Sequence, residues 1–250
     1  MLNVSDQGNG PDLVFLHGFC EDRRIWETFA PLFQKNFRVL CIDLPGFGKS
    51  IPGNDDLSNW ATACFEVLDS VNVQPFSLVG HSMGGYVALA MMEQAPERIR
   101  HFVSFHSSPL ADTEEKKANR LRQVGIVKER GVSPFVNQLI PSLFKTGYDG
   151  PGINMALNIA REQNPEGITN ALRAMLARPD RTPVVRSFEA PILILSGRHD
   201  PILPIDGQKN FAGACQKGIH SVLEESGHMG MLEEPTRSYD LINRFLKDNL

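Results

Sequence analysis

A chain of 250 residues with 42% hydrophobic and 22% charged side chains can bury a sizeable core within one domain, which excludes a low-complexity or disordered polymer. Its formal net charge of −4 argues against nucleic acid as a partner, because phosphate binding needs a basic surface. Cys20, Cys41, Cys64 and Cys215 form no Cys-x-x-Cys pair, so they read as free thiols in a reducing compartment, not as a disulfide framework or a zinc site.

The segment from Met1 to Asp12 has neither the cationic start nor the apolar run of a signal peptide. No stretch approaches the ~20 apolar residues that span a bilayer. The expected location is therefore the cytoplasm, with no membrane contact. Leu13–Leu16 is the first strand-like run, followed by the polar turn His17-Gly18-Phe19-Cys20. A helix is predicted over Ile25–Gln34 and a strand over Arg38–Leu44. Next come a helix over Leu57–Val71, a strand over Phe76–Val79, a helix over Gly85–Gln94 and a strand over Ile99–Phe105. Further strands are predicted over Pro191–Ser196 and Gly218–Leu223, with a helix over Asp206–Ala212 between them. Tyr239, Ile242, Phe245 and Leu246 then mark a closing amphipathic helix. Apolar strands alternating with helices predict the α/β class, a mostly parallel central sheet covered on both faces.

Residues 109–186 break this alternation. Ile153, Ala156, Leu157 and Ala160 share one helical face, as do Ile168, Ala171, Leu172, Met175 and Leu176, the latter set after the cap pair Asn164-Pro165. This stretch reads as a helical cap inserted between two strands of a core formed by 1–108 and 187–250. Its charges are on balance cationic, which fits solvated helix faces.

The segment Val79-Gly80-His81-Ser82-Met83-Gly84-Gly85 lies between a strand and a helix, the setting of a Gly-x-Ser-x-Gly nucleophile elbow. A serine raised on so sharp a turn leaves no room for Cβ atoms two residues away, hence Gly80 and Gly84. The bland alternative is a strand-to-helix turn whose glycines serve packing. Acyl transfer also needs two N–H donors at the developing oxyanion, each worth about 3–4 kcal/mol of the barrier. The Met83 amide is one candidate; the Phe19 amide, freed by Gly18 at the end of the first strand, is the other.

Asp200 ends the strand Pro191–Ser196 in a polar loop, and His228 follows the last strand. The order Ser82, Asp200, His228 suits a base (His228) oriented by an acid (Asp200). Of the other histidines, His17 is expected to support its loop and His81 to pack under its strand. His101 and His220 are expected on the surface or in the core, and His199 to point away from Asp200. His106 ends a strand on the same edge and is a candidate substrate contact, with Gly18, Ile202 and Met229. No histidine pair has metal-ligand spacing, so neither metal nor cofactor is expected.

These segments resemble the α/β-hydrolase superfamily, as do Asp43-Leu-Pro-Gly-Phe-Gly-Lys-Ser50 and the run from Gly227-His228 through Glu233 to Pro235. The resemblance implies a Ser-His-Asp triad beneath a helical cap, with a sheet slightly smaller than the full version because little chain precedes Asp6. Haloalkane dehalogenases and epoxide hydrolases carry aspartate where Ser82 stands, and menaquinone-pathway lyase-like relatives tend to carry arginine where Tyr86 stands. Cofactor-free haloperoxidase-like esterases and carbon–carbon hydrolases both fit. Phe19, Met83, Ile202 and Met229 either line a small, mostly hydrophobic pocket or belong to the core. The leading expectation is a carboxylesterase acting on small hydrophobic esters or thioesters through an acyl-serine. The alternatives are carbon–carbon hydrolysis or proton-transfer elimination, and a ligand-binding receptor that retains the triad.

Overall fold

Seven strands pair into one sheet in the order β1-β3-β2-β4-β5-β6-β7. In this computed structural model, which describes residues 2–249, they are β1 (Val4–Gln7), β2 (Asp12–Leu16), β3 (Arg38–Ile42), β4 (Phe76–His81), β5 (Ile99–Phe105), β6 (Ile192–Gly197) and β7 (Gly218–Leu223). All pairings are parallel except that of β1 with β3. The inner strands β4 and β6 are buried along their whole length, as a sheet covered on both faces requires. The short edge strand β1 is drawn from the few residues available before Asp12.

Three helices follow the local signals closely. Helix α1 (Leu57–Ser70) starts where the Asp56 carboxylate accepts from the Ser58 amide. Helix α2 (Met83–Gln94) runs directly from the end of β4 through Ser82 and is almost wholly buried. Between β5 and β6 lie only helices: α3 (Glu114–Arg130), α4 (Val132–Ser142), α5 (Gly152–Arg161), α6 (Pro165–Ala177) and α7 (Thr182–Ser187). Asn164 caps α6 by accepting from the Glu166 amide, with Pro165 at the first position. Helix α3 packs on α6 and α4 on α5. Helices α8 (Ile205–Ala214), α9 (Gly230–Glu233) and α10 (Pro235–Asp248) complete the chain. On α10, Ile242, Phe245 and Leu246 face the core.

The helix expected over Ile25–Gln34 is instead two short 3₁₀ turns, Arg23–Trp26 and Ala30–Phe33. Pro31 removes an amide that a continuous helix would need. Trp26, Phe29 and Phe33 then gather around Phe15, with ring centroids 5.1, 6.3 and 5.6 Å from it. Aromatic packing of this kind repays the loss of a regular helix. Among the described residues, no helix is long and apolar enough to cross a membrane.

Candidate active site

Ser82 joins β4 to α2 with φ 48° and ψ −111°, a conformation costing a residue with a Cβ of order 1–3 kcal/mol. The surroundings enforce it. A Cβ on Gly80 would lie 2.7 Å from the Gly85 Cα, and one on Gly84 would run into the Leu16 carbonyl. The Ser82 amide donates to the Phe105 carbonyl at 2.9 Å, and the Ser107 hydroxyl donates to the Ser82 carbonyl at 2.8 Å. The turn is thus held from β5 while the Ser82 side chain stays on the cavity wall.

His228 lies in the loop between β7 and α9. Glu233 clamps that loop by accepting from the amides of Gly227 and Met229, both at 3.0 Å. The His228 amide donates to the Leu143 carbonyl at 2.7 Å, which ties the loop to the end of α4. Its Nε2 is 2.9 Å from Ser82 Oγ and its Nδ1 2.7 Å from Asp200 Oδ2. With the proton on Nδ1, Nε2 is free to accept from the Ser82 hydroxyl. The other oxygen of Asp200 accepts from the amides of Ile202 at 2.8 Å and Leu203 at 3.1 Å.

Burial alone would raise the Asp200 pKa. The His228 ring and the hydrogen bonds from His106 and His228 outweigh it and hold the carboxyl well below the usual carboxylate range. His106 therefore does not touch the cavity, contrary to the expectation of a substrate contact. It is fully buried beneath Asp200, with Nδ1 3.1 Å from Oδ2 and Nε2 accepting from the Gly230 amide at 3.3 Å. Burial pushes its pKa down to about 4, against the partial pull of Asp200. This ring is a neutral donor to the same carboxylate that orients His228.

A second buried pair, absent from the sequence reading, adjoins the first. Glu21 accepts from the Gly18 amide at 2.6 Å and from His81 Nδ1 at 3.1 Å, while His81 Nε2 donates to the His228 carbonyl at 2.9 Å. With Glu21 ionised, both ring nitrogens of His81 face acceptors and the ring is the imidazolium. Burial would lower the His81 pKa, but the Glu21 charge and hydrogen bond raise it. Glu21 is lowered in turn, its burial overcome by the charge and hydrogen bond of His81. One ion pair thus joins the loop after β2, the serine turn and the His228 loop. Nothing in the local pattern signals it, because Glu21 lies in an aperiodic turn and meets His81 only through the sheet order.

The Met83 amide opens helix α2, where first-turn N–H groups have no intrahelical acceptor. Phe19 lines the cavity, and its amide follows Gly18 in the same turn. These positions suit the two expected donors. Gly18 itself is turned inward; a Cβ there would meet His81 Nδ1 at 2.6 Å and the Glu21 carboxylate at 3.0 Å. Met229 is likewise fully buried at the start of α9 and lies off the cavity wall. Neither is placed to touch a substrate. Ile202 does line the cavity and is 39% exposed at its rim.

The cavity measures about 440 Å³, within the range of small-molecule sites. Leu139, Leu143 and Met175 supply an apolar side, but Asp112, Lys116, Asn119, Arg120 and Gln123 face it too. The lining stays apolar over its larger part, as expected from Phe19, Met83, Ile202 and Met229, although Met83 and Met229 are not themselves on the wall; the helices between β5 and β6 add polar side chains to it. His106, Asp200 and His228 also bring three possible metal-ligand atoms within 4.8 Å of one another. Their lone pairs are engaged by the hydrogen bonds described above, so the trio reads as a proton-linked chain.

A family model for the alpha/beta hydrolase fold matches residues 11–235. The chain is 25% identical to a pimeloyl-[acyl-carrier protein] methyl ester esterase of Legionella pneumophila (strain Paris), covering 98% of this chain and 99% of the relative. It is 27% identical to 3-oxoadipate enol-lactonase 2 of Acinetobacter baylyi, covering 92% and 86%. Among solved structures, a malate-bound thermophilic esterase from Thermogutta terrifontis superposes with a TM-score of 0.94 at 28% identity, over 99% of this chain and 93% of that one.

Proposed function

Since the chain belongs to the α/β-hydrolase fold family, we propose that it hydrolyses small carboxylic esters or thioesters through an acyl-Ser82 intermediate. One observation carries this reading: Ser82 Oγ lies 2.9 Å from a His228 Nε2 whose ring is fixed at Nδ1 by Asp200. Ser82 Oγ attacks the ester carbonyl while its proton passes to His228 Nε2. The negative charge formed on the carbonyl oxygen is met by the amides of Met83 and Phe19. Collapse breaks the bond to the leaving oxygen or sulfur, which takes the proton from His228. Water then attacks the acyl-serine, giving its proton to His228, and the carboxylic acid leaves as Ser82 is reprotonated. Asp200 stays ionised throughout and stabilises the imidazolium. The Glu21–His81 pair and His106 act as positioning groups, holding the oxyanion loop and Asp200 respectively.

Residues 109–186 serve as a lid over this cavity. The substrate is a small molecule, and the four free cysteines support a reducing compartment, the cytoplasm. Rapid-mixing kinetics with p-nitrophenyl esters of increasing acyl length tests the reading. A burst of one p-nitrophenolate per chain, followed by slower turnover, is expected. Negligible ester turnover beside fast cleavage of a vinylogous diketone would shift the assignment to carbon–carbon hydrolysis.

A further inference from the structure

Part of the wall of the cavity that Ser82 lines has a character that an esterase for plain apolar esters does not require. Lys116, Asn119, Arg120 and Gln123 all line the cavity, and they stand at i, i+3, i+4 and i+7 along α3. That spacing is one stripe of a helix, the stripe normally apolar where a helix faces the interior. Here every position on it carries a hydrogen-bond donor, and two carry full positive charge.

The charges are not balanced from within. Asp112, buried at the base of the stripe, is the acidic partner on this side. It is bonded to Arg120 and, through Oδ1 at 2.9 Å, to Arg178. One carboxylate is thus shared by two guanidinium groups, and Lys116, on the same cavity lining as Asp112 and Arg120, makes no ion pair among the described residues. Arg178 lies with its guanidinium 3.9 Å above the Tyr86 ring, itself part of the cavity lining, and its buried Nε has no partner. Asp112 is held ionised, since Arg120 and Arg178 outweigh the burial that would raise its pKa. Lys116 Nζ and the side-chain amide nitrogens of Asn119 and Gln123 line the cavity with no partner among the described residues, so they are free to meet an anionic ligand there.

Building on the esterase reading above, we propose that the α3 stripe binds a carboxylate at the far end of the substrate, so that the preferred substrates are half-esters of short dicarboxylic acids. The ester end meets Ser82 and the free carboxylate meets Lys116, with Arg120, Asn119 and Gln123 beside it. Charge-assisted hydrogen bonds to carboxylate are the stronger kind.

The test compares p-nitrophenyl hydrogen adipate with p-nitrophenyl hexanoate, an uncharged ester of the same chain length, by their kcat/KM ratio. The expected ratio is tenfold or more in favour of the anionic ester at low salt, shrinking at 0.5 M NaCl as screening grows. Lys116 is exposed, so its replacement leaves packing intact. Lys116→Gln should lower the ratio at least fivefold, Lys116→Glu should lower it further, and Lys116→Arg should retain most of it. A wild-type ratio of one or less, or a ratio unmoved by Lys116→Gln and Lys116→Glu, overturns the subsite. If neither ester is turned over, the esterase reading fails by itself. Calorimetry with monomethyl adipate then decides the subsite: binding that weakens at least fivefold in Lys116→Gln upholds it, while absent or unaltered binding overturns it.

Discussion

Around Ser82, the polar side chains of the sheet edge are engaged with one another: His228 with Asp200, His106 with the same carboxylate, His81 with Glu21. On helix α3, polar side chains reach the same cavity with donors to spare. A closed hydrogen-bond network fixes geometry, as a reaction with one required alignment demands. An open one leaves valence for a ligand. The division supports the proposal that the chemistry lies at the sheet edge and the choice of substrate with the inserted helices.

The largest effects should fall at the closed edge. Ser82→Ala should reduce kcat by roughly 10⁵-fold or more, and Asp200→Asn by about 10⁴-fold, both measured on a short p-nitrophenyl ester. An Asp200→Asn enzyme of full activity would mean that another group orients His228.

Glu21→Gln probes the second pair. At pH 6 it leaves the buried His81 cation without its counter-charge, at a cost of about 3 kcal/mol in denaturant unfolding. Because folding raises the His81 pKa, the contribution of this pair is complete below the unfolded value near 6.5 and is lost as the pH rises through the folded value. The penalty of Glu21→Gln should therefore shrink by pH 9. An equal penalty at both pH values would assign Glu21 a packing role.

His106 carries the opposite sign. Its folded pKa is depressed from about 6.5 to about 4, so its contribution to stability is complete above pH 6.5 and is lost as the pH falls toward 4. A shift of this size corresponds to about 3 kcal/mol. His106→Gln should flatten the stability profile over that window, and a parallel profile would contradict a buried neutral ring. The smallest effect belongs to the rim: Ile202→Ala should raise KM for longer acyl chains by a few-fold, in line with the ~1 kcal/mol of a partly exposed apolar contact, with kcat little changed.

The edge was legible in the sequence because its constraints are local. Ser82 needs glycines at fixed offsets, and Asp200 and His228 each follow a strand recognisable by its apolar run. The sheet order then brings those three loops to one edge. Glu21 and the proper place of His106 escaped because each is set by contacts between distant segments, Glu21 with His81 and His106 with Asp200. A histidine at a strand end looks the same whether it lines a cavity or lies beneath a carboxylate. Pro31 was the local signal against a helix over Ile25–Gln34, and the apolar periodicity obscured it. The polar stripe of α3 resembles a solvated helix face until the fold sets it on the cavity that Ser82 also lines.

The most direct test of the central claim is intact-mass and peptide-mapping analysis after incubation with a fluorophosphonate. An activated serine predicts one adduct per chain, located on Ser82, that forms far more slowly in His228→Ala and is absent in Ser82→Ala. A chain that stays unlabelled, or is labelled elsewhere, would contradict the assembly of Ser82, His228 and Asp200 into a nucleophilic unit.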